Sequence, residues 1–217
     1  MIAAVTIAFA LLTQTPDATR PAGDQILSAG QAGGIFQNLS DGDVIRLKHP
    51  ASGMICHFRP AASRNNIRIY PVRPGVNARG DDVGCGTTEN IAYTIYATRY
   101  QPAANEEAAM TQAIEEVEAI WGDVQRLDIE IPAAAANGRF AAYRGRHPNG
   151  QSLATVILVR QIGPWIFKMR ASGPPDEPEA LAASAVERFA AQLPSPLAAS
   201  HRADFREPSS SGGPFAL

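Results

Sequence analysis

Apolar and polar positions along the first half of the chain fall into short runs that predict β-strands. These runs cover residues 44–48, 54–58, 66–72 and 91–100. Residues 49–53 are predicted to join the first two runs as a hairpin. Pro71 suggests that the third strand lies at a sheet edge, because proline cannot donate to a ladder. Residues 73–90, which carry four glycines and Cys85, are predicted to be a polar loop.

The first clear helix is predicted between a cap at Asn105 and Gly122. Glu106 and Glu107 in its first turn complement the positive end of the helix dipole. Its apolar stripe has the three- and four-residue spacing of a buried face and consists of Met110, Ile114, Val117 and Trp121. A weaker helical pattern over residues 23–39 is interrupted by glycines. The apolar members of that pattern are Ile26, Leu27, Phe36 and Leu39.

The last helix is predicted to begin after Asp176, which caps it in a capping box completed by Glu179. Pro178 fits the first turn, where no helical hydrogen bond is lost. The buried stripe of this helix consists of Ala182, Val186, Phe189 and Leu193.

Four further strands are predicted between these two helices, at residues 127–131, 139–144, 153–160 and 165–171. The third is apolar on both faces, which is typical of a central strand. Strands joined by short turns pair antiparallel, and two amphipathic helices must bury their stripes on a sheet. The sequence therefore predicts an α+β fold, in which a largely antiparallel β-sheet is covered by two amphipathic helices in a single domain.

The closing block, a strand hairpin through GPWIFKMRASGP (residues 163–174) into a capped helix, resembles the end of the PsbP-like α/β/α sandwich. Similar blocks occur in secreted proteins of proteobacteria. The resemblance covers residues 139–193 and rests on the order of the elements. The family includes photosystem accessory subunits and small binding proteins, so the resemblance implies a binding role and carries over no catalytic residue set.

The amino-terminal residues suggest where the protein acts. Residues 2–12 are apolar and carry no charge, and residues 13–22 turn polar and contain two prolines. The apolar run is shorter than the about 20 residues of a membrane span, and its length fits the core of an export signal. We therefore expect a signal peptide at residues 1–22, ending at Ala18 or Ala22, no stable membrane span, and a periplasmic or secreted protein. The alternative is a buried amino-terminal strand or helix.

Composition narrows the class of partner. Residues 23–194 are long enough for one domain, whereas residues 195–217 are rich in proline, serine and glycine and are expected to be a disordered tail. A net charge of −2 with 18% charged residues excludes a strongly basic nucleic-acid binder or a polybasic membrane clamp. The sequence contains no phosphate loop or zinc-hydrolase motif, and no cofactor is predicted.

Cys56 and Cys85 are the only two cysteines. An even number of cysteines behind an export signal indicates one disulfide. The alternatives are two free buried thiols, or a catalytic or metal-binding thiol with His57 or His49 as its base.

Two sets of side chains are candidates for a site. Arg99, Arg160, Lys168 and Arg170, with Tyr96 and Tyr143 beside them, come from predicted strands. On one open sheet face they would hold a carboxylate or phosphate; the alternative is an ordinary solvated face. Oxygen and imidazole ligands for a metal are offered by Asp81, Asp82, His49 and His57. The alternative for the aspartates is a structural role in the loop.

These observations predict an exported, non-enzymatic binding or cell-envelope accessory protein, with an unknown envelope protein or a small anionic ligand as its partner. The alternative is a small secreted hydrolase or metal-dependent enzyme that uses the His/Asp cluster. A structural protein without a ligand is a third hypothesis.

Overall fold

The structure is a computed structural model, and it describes residues 18–130 and 138–194. Its helices are α1 (Thr19–Ala29), α2 (Glu106–Ile120) and α3 (Pro178–Gln192). Its strands are β1 (Gln37–Asn38), β2 (Ile45–Lys48), β3 (Ile55–Phe58), β4 (Arg64–Ile69), β5 (Asp82–Thr88), β6 (Ala92–Thr98), β7 (Gly122–Leu127), β8 (Arg139–Arg146), β9 (Ser152–Ile162) and β10 (Trp165–Gly173). None of these helices is long and apolar enough to cross a bilayer.

The strands form a seven-stranded sheet in the order β4-β5-β6-β10-β9-β8-β7 and a three-stranded sheet in the order β1-β2-β3. All ladders in both sheets are antiparallel. The predicted α+β class, the largely antiparallel sheet and the single domain are confirmed. The predicted hairpin is also confirmed as β2 and β3, and β4 lies at a sheet edge as Pro71 suggested.

The large sheet is covered on both faces. On one face, α3 and the small sheet pack over a core that includes Phe167 and Met169 of β10. On the other face, α2 packs over a second core that includes Ile157 of β9 and Ile166 of β10. The alternation of side chains along β9 and β10 therefore sends apolar residues into both cores, as the pattern of the third predicted strand required.

The helix starts differ in how they are capped. Asn105 caps α2 as predicted, because its side chain accepts a hydrogen bond from the backbone N–H of Ala108. The residue that precedes α3 is Glu177, and its side chain makes no capping hydrogen bond. The predicted capping box at Asp176 and Glu179 is therefore wrong, and Pro178 instead starts α3 with the backbone angle that a helix needs.

The weak helical pattern over residues 23–39 corresponds to a shorter and earlier helix. Helix α1 covers Thr19–Ala29 and stops at Gly30. Phe36 is buried from a turn beyond the helix, whereas Leu39 is 41% exposed. Thr19 is buried within α1, so a signal peptide that ended at Ala22 would remove part of this helix, whereas an end at Ala18 would leave it whole. Residues 1–17 and the tail at 195–217 lie outside the described residues.

The region predicted to be a polar loop contains a buried strand. Within residues 73–90, β5 pairs with β4 on one side and β6 on the other. A Cβ on Gly86 would lie 2.7 Å from Asn66 Oδ1, and one on Gly84 would lie 3.3 Å from the rings of Tyr70 and Tyr96. Small residues are thus needed where neighbouring side chains fold over the strand. The hydrophobic pattern missed β5 because its buried positions carry few apolar side chains.

Strand β7 is also displaced from its prediction. It was expected at residues 127–131 but lies at Gly122–Leu127, directly after α2. Trp121 already has extended backbone angles and its ring is buried under the sheet. The chain therefore passes from helix to strand without a loop, and a bulge between Gly122 and Gln125 absorbs the change of direction.

Candidate functional site

The two cysteines form a disulfide, as predicted. Cys56 on β3 and Cys85 on β5 are both buried, and their Cα atoms lie 6.1 Å apart. The bond joins the small sheet to the large one. It therefore fixes His57, the residue after Cys56, relative to the main core, and neither cysteine is available as a thiol nucleophile or metal ligand.

Of the four predicted metal ligands, His49 is the most deeply buried. Its ring lies 5.1 Å from Phe36 and 5.4 Å from Trp165, and its Nδ1 is 2.8 Å from Ser52 Oγ. Burial lowers the pKa of His49 to about 4, although the nearby carboxylate of Asp81 opposes the shift. His49 is therefore a neutral side chain of the core at neutral pH.

The two aspartates are occupied by structural contacts. Arg99 donates to Asp81 Oδ1 from Nη2 at 2.6 Å, and the backbone N–H of Ala78 donates to the other oxygen. Asp82 accepts from Thr98 Oγ1 at 2.8 Å and pairs with Arg73 at 2.5 Å. These bonds hold the segment before β5 against the ends of β5 and β6.

The structure thus brings His49 close to Asp81 but does not bring His57 to them. His57 lies on β3, where its carbonyl oxygen accepts from Arg188 of α3. Among residues 18–130 and 138–194, no three His, Cys, Asp or Glu side chains are grouped so that they could hold a metal ion.

The predicted basic patch is divided between the two faces of the large sheet. Tyr96, Lys168 and Arg170 line one small cavity beside α2, with a volume of about 10 Å³. Lys168 Nζ lies 3.1 Å from Glu116 Oε2 and 5.1 Å from the centre of the Tyr96 ring. This cavity has room for about one water molecule.

The other two arginines lie on the opposite face. Arg160 is opposite Phe167 in the β9–β10 ladder, and Phe167 belongs to the core under α3. Arg99 stacks over Trp165 at 5.5 Å while it pairs with Asp81. Tyr143 is buried in the core under α2. The register of the β9–β10 ladder separates the predicted set, because Arg160 pairs with Phe167 whereas Lys168 pairs with Val159 on the other face.

A larger groove lies between α3 and the β2–β3 hairpin, and sequence reasoning did not identify it. Its volume is about 320 Å³, within the range of small-molecule pockets. It is lined by Val44, His57, Phe58, Arg59, Ser184, Glu187, Arg188 and Ala191. We call it the α3 groove. Three of the four residues from α3 follow the first, Ser184, by three, four and seven positions, so the set shares one flank of the helix.

Arg188 is the central side chain of the α3 groove. Its Nη2 donates to the carbonyl oxygen of His57 at 3.0 Å, and its guanidinium carbon lies 4.6 Å from the centre of the Tyr93 ring. Tyr93 in turn hydrogen-bonds Ser184, with 2.7 Å between the two oxygens. Arg188 Nε is buried and has no hydrogen-bond partner among the described residues. A buried donor without a partner is costly, and Arg46 Nε is the other such side-chain atom among the described residues.

The charges around the α3 groove favour an anion. Burial and the positive charges of Arg46 and Arg188 lower the pKa of His57, so its ring is neutral at neutral pH. Arg59 is 73% exposed and pairs with Glu89 at 3.4 Å, a carboxylate that lies outside the lining and offsets part of the charge of Arg59. The lining carries two guanidinium groups against the single carboxylate of Glu187. Guanidinium groups form paired hydrogen bonds with carboxylates and phosphates.

No protein-family model matches the chain, and no curated protein matches it. Among solved structures, PA94 from Pseudomonas aeruginosa, a protein of unknown function, is 13% identical; the match covers 63% of this chain and 86% of PA94, with a TM-score of 0.32. LpqN of Mycobacterium tuberculosis, involved in cell envelope biogenesis, is 14% identical; the match covers 62% of this chain and 82% of LpqN, with a TM-score of 0.30. Matches with TM-scores below 0.5 do not show a role or a family for this chain. The PsbP-like resemblance stays a prediction.

Proposed function

We propose that the protein is exported and acts without catalysis by binding a small anionic ligand in the α3 groove. The observation that carries the proposal is the position of Arg188, whose half-buried guanidinium lies beside His57 and Arg59 in a groove of about 320 Å³. Packing already holds this guanidinium in one orientation, so less side-chain entropy is lost when a ligand binds to it.

Export is supported by two independent features. The Cys56–Cys85 disulfide is of a kind that persists in oxidising compartments and is rare in the cytosol. The uncharged apolar run at residues 2–12 has the length of a signal core. A signal peptide that ends at Ala18 leaves α1 complete in the mature protein.

A binding role agrees with the contacts of His49, Ser52 and Asp81. His49, Ser52 and Asp81 include the side-chain types of a hydrolase, but all three are buried. Ser52 Oγ accepts from the backbone N–H of Met54 as well as contacting His49, and Asp81 is held by Arg99. These bonds support a structural role for the cluster rather than the secreted hydrolase.

Chemical-shift mapping tests the binding proposal. The isotopically labelled mature protein is titrated with acetate and with inorganic phosphate, and the amide signals are followed. We expect saturable shifts at His57, Arg59 and Arg188, with shifts that are lost in Arg188→Met. The matched control is Arg144→Met, because Arg144 also donates one hydrogen bond to a backbone carbonyl, at 2.8 Å, but lies on β8. Shifts spread over the whole surface, or unchanged in Arg188→Met, would contradict the proposal.

Export is tested separately by the mass and location of the native protein. We expect it in the extracytoplasmic fraction, oxidised, with an amino terminus at or before Thr19. An unprocessed chain with two free thiols in the cytosol would contradict this part of the proposal.

A further inference from the structure

The α3 groove combines its cations with an apolar wall. Val44 is 39% exposed and is one of four large hydrophobic residues exposed to this degree in the described part of the chain. Phe58, which is only 2% exposed, and Ala191 line the same groove. Ala191 is three positions after Arg188, so charged and apolar surface lie within about one 5.4 Å turn of the helix.

We infer that the ligand is a single-chain amphiphile, whose carboxylate lies against Arg188 and Arg59 and whose hydrocarbon chain covers Val44 and Ala191. This inference rests on the proposed function and adds the chemical class of the ligand. Charge complementarity favours a ligand with an anionic head group, because the lining includes two guanidinium groups. The exposed side chains of Val44 and Ala191 favour a ligand with a hydrocarbon chain, because burial of apolar surface is favourable in proportion to its area.

The size of the groove selects among anionic amphiphiles. A volume of about 320 Å³ is at the lower end of the range for small-molecule pockets. This volume matches one short chain better than a diacyl lipid with both of its chains. We therefore expect a free monomeric carboxylate rather than a bilayer surface as the occupant.

Glu187 limits the charge of the ligand. Its carboxylate lines the groove beside Arg188 and repels an incoming anion. A head with a single negative charge is disfavoured less than one with two. Glu187→Gln is therefore expected to strengthen binding, whereas a purely apolar ligand would not respond to this change.

Three probes separate the head from the chain in calorimetric titrations of the mature protein. Octanoate carries both parts, acetate carries only the head, and 1-octanol carries only the chain. We expect octanoate to bind about tenfold or more tightly than acetate, because each buried methylene contributes to affinity. We expect 1-octanol to bind more weakly than octanoate, and added salt to weaken octanoate binding.

Matched variants assign these effects to the charged and the apolar side chains of the groove. Val44→Ser should weaken octanoate by about threefold or more and leave acetate unchanged, since it removes apolar contact only. Val72→Ser is the control, because Val72 is 56% exposed and lies outside the groove. Arg188→Met should weaken octanoate and acetate alike and leave 1-octanol unchanged, and Glu187→Gln should tighten octanoate.

The outcomes distinguish this inference from the function on which it rests. If acetate binds in the groove as tightly as octanoate, the amphiphile is wrong and the anion site stands. If neither binds, both proposals are wrong. Binding to vesicles of anionic phospholipid without binding of free octanoate would also overturn the inference.

Discussion

Arg188 of α3 donates a hydrogen bond from Nη2 to the backbone carbonyl oxygen of His57 on β3, at 3.0 Å. The two residues are 131 positions apart, and the contact links the last helix to the small sheet. The same guanidinium stacks on Tyr93 of the large sheet. One side chain therefore joins three elements where the α3 groove is formed.

Replacing this side chain should destabilise the protein modestly. Arg188→Met loses the bond to His57 and the stacking on Tyr93, so we expect the free energy of unfolding to fall by about 1–2 kcal/mol. Arg188→Lys keeps a charge but not the planar donor, so its free energy of unfolding should lie between those of the wild-type protein and Arg188→Met. Urea denaturation measures the difference. Equal stabilities of all three proteins would contradict the linking role of Arg188.

The groove could not be predicted from the sequence, although its parts could. The helix carrying Arg188 and the hairpin carrying His57 were both predicted near their observed positions. Their contact was not, because hydrophobic periodicity reports which face of an element is buried and not which element covers it. The buried stripe of α3 was confirmed at Val186 and Phe189, but Arg188 lies on its flank.

The other errors have local physical causes. The buried strand β5 was missed because a strand of glycine, threonine and aspartate does not carry an apolar pattern, and its burial comes from its neighbours. The basic patch could not be predicted because a sequence does not report ladder register, and the β9–β10 register puts Arg160 and Lys168 on opposite faces. The disulfide was predicted correctly because two cysteines allow only one pairing.

Removing the disulfide should loosen the β2–β3 hairpin. The bond closes a separation of 29 residues, for which the chain-entropy model gives about 3–4 kcal/mol. We expect the double variant Cys56→Ala, Cys85→Ala to lose a large part of that stability and to show faster amide exchange in β3 than in β9. Reduction of the wild-type protein by a dithiol is the matched experiment. Unchanged exchange in β3 in both cases would contradict the linking role of the bond.

Burial of neutral His49 should make stability depend on pH. The pKa of His49 is about 4 in the folded protein, against 6.5 for an unperturbed histidine, so the unfolded chain binds the proton first as the pH falls. Above about pH 6.5 His49 is neutral in both the folded and the unfolded protein, and its full contribution to the free energy of unfolding is present. As the pH falls toward 4, the free energy of unfolding decreases by about 3 kcal/mol because of this residue. His49→Gln should remove this part of the slope, whatever its effect at neutral pH. Parallel pH profiles for the two proteins would exclude the assignment.

The packing of α1 against β4 can be tested at a glycine. A Cβ on Gly30 would lie 2.8 Å from the carbonyl oxygen of Ile67, and backbone cannot move aside as a flexible side chain can. We expect Gly30→Ala to lower the free energy of unfolding by about 1–3 kcal/mol. Gly33→Ala is the control, since a Cβ there meets nothing within 4 Å. If thermal melts of the two variants coincide, α1 does not pack closely on β4.

The pKa of His57, followed by NMR with and without saturating octanoate, tests most directly that the α3 groove binds anions. Without ligand, burial and the charges of Arg46 and Arg188 keep this pKa below the usual 6.5. A carboxylate beside Arg188 favours the imidazolium, so we expect the pKa of His57 to rise on binding and the rise to be lost in Arg188→Met. The imidazole of His147, which packs edge-on against Trp121, serves as the internal reference. A pKa of His57 that is the same with and without octanoate would contradict the account.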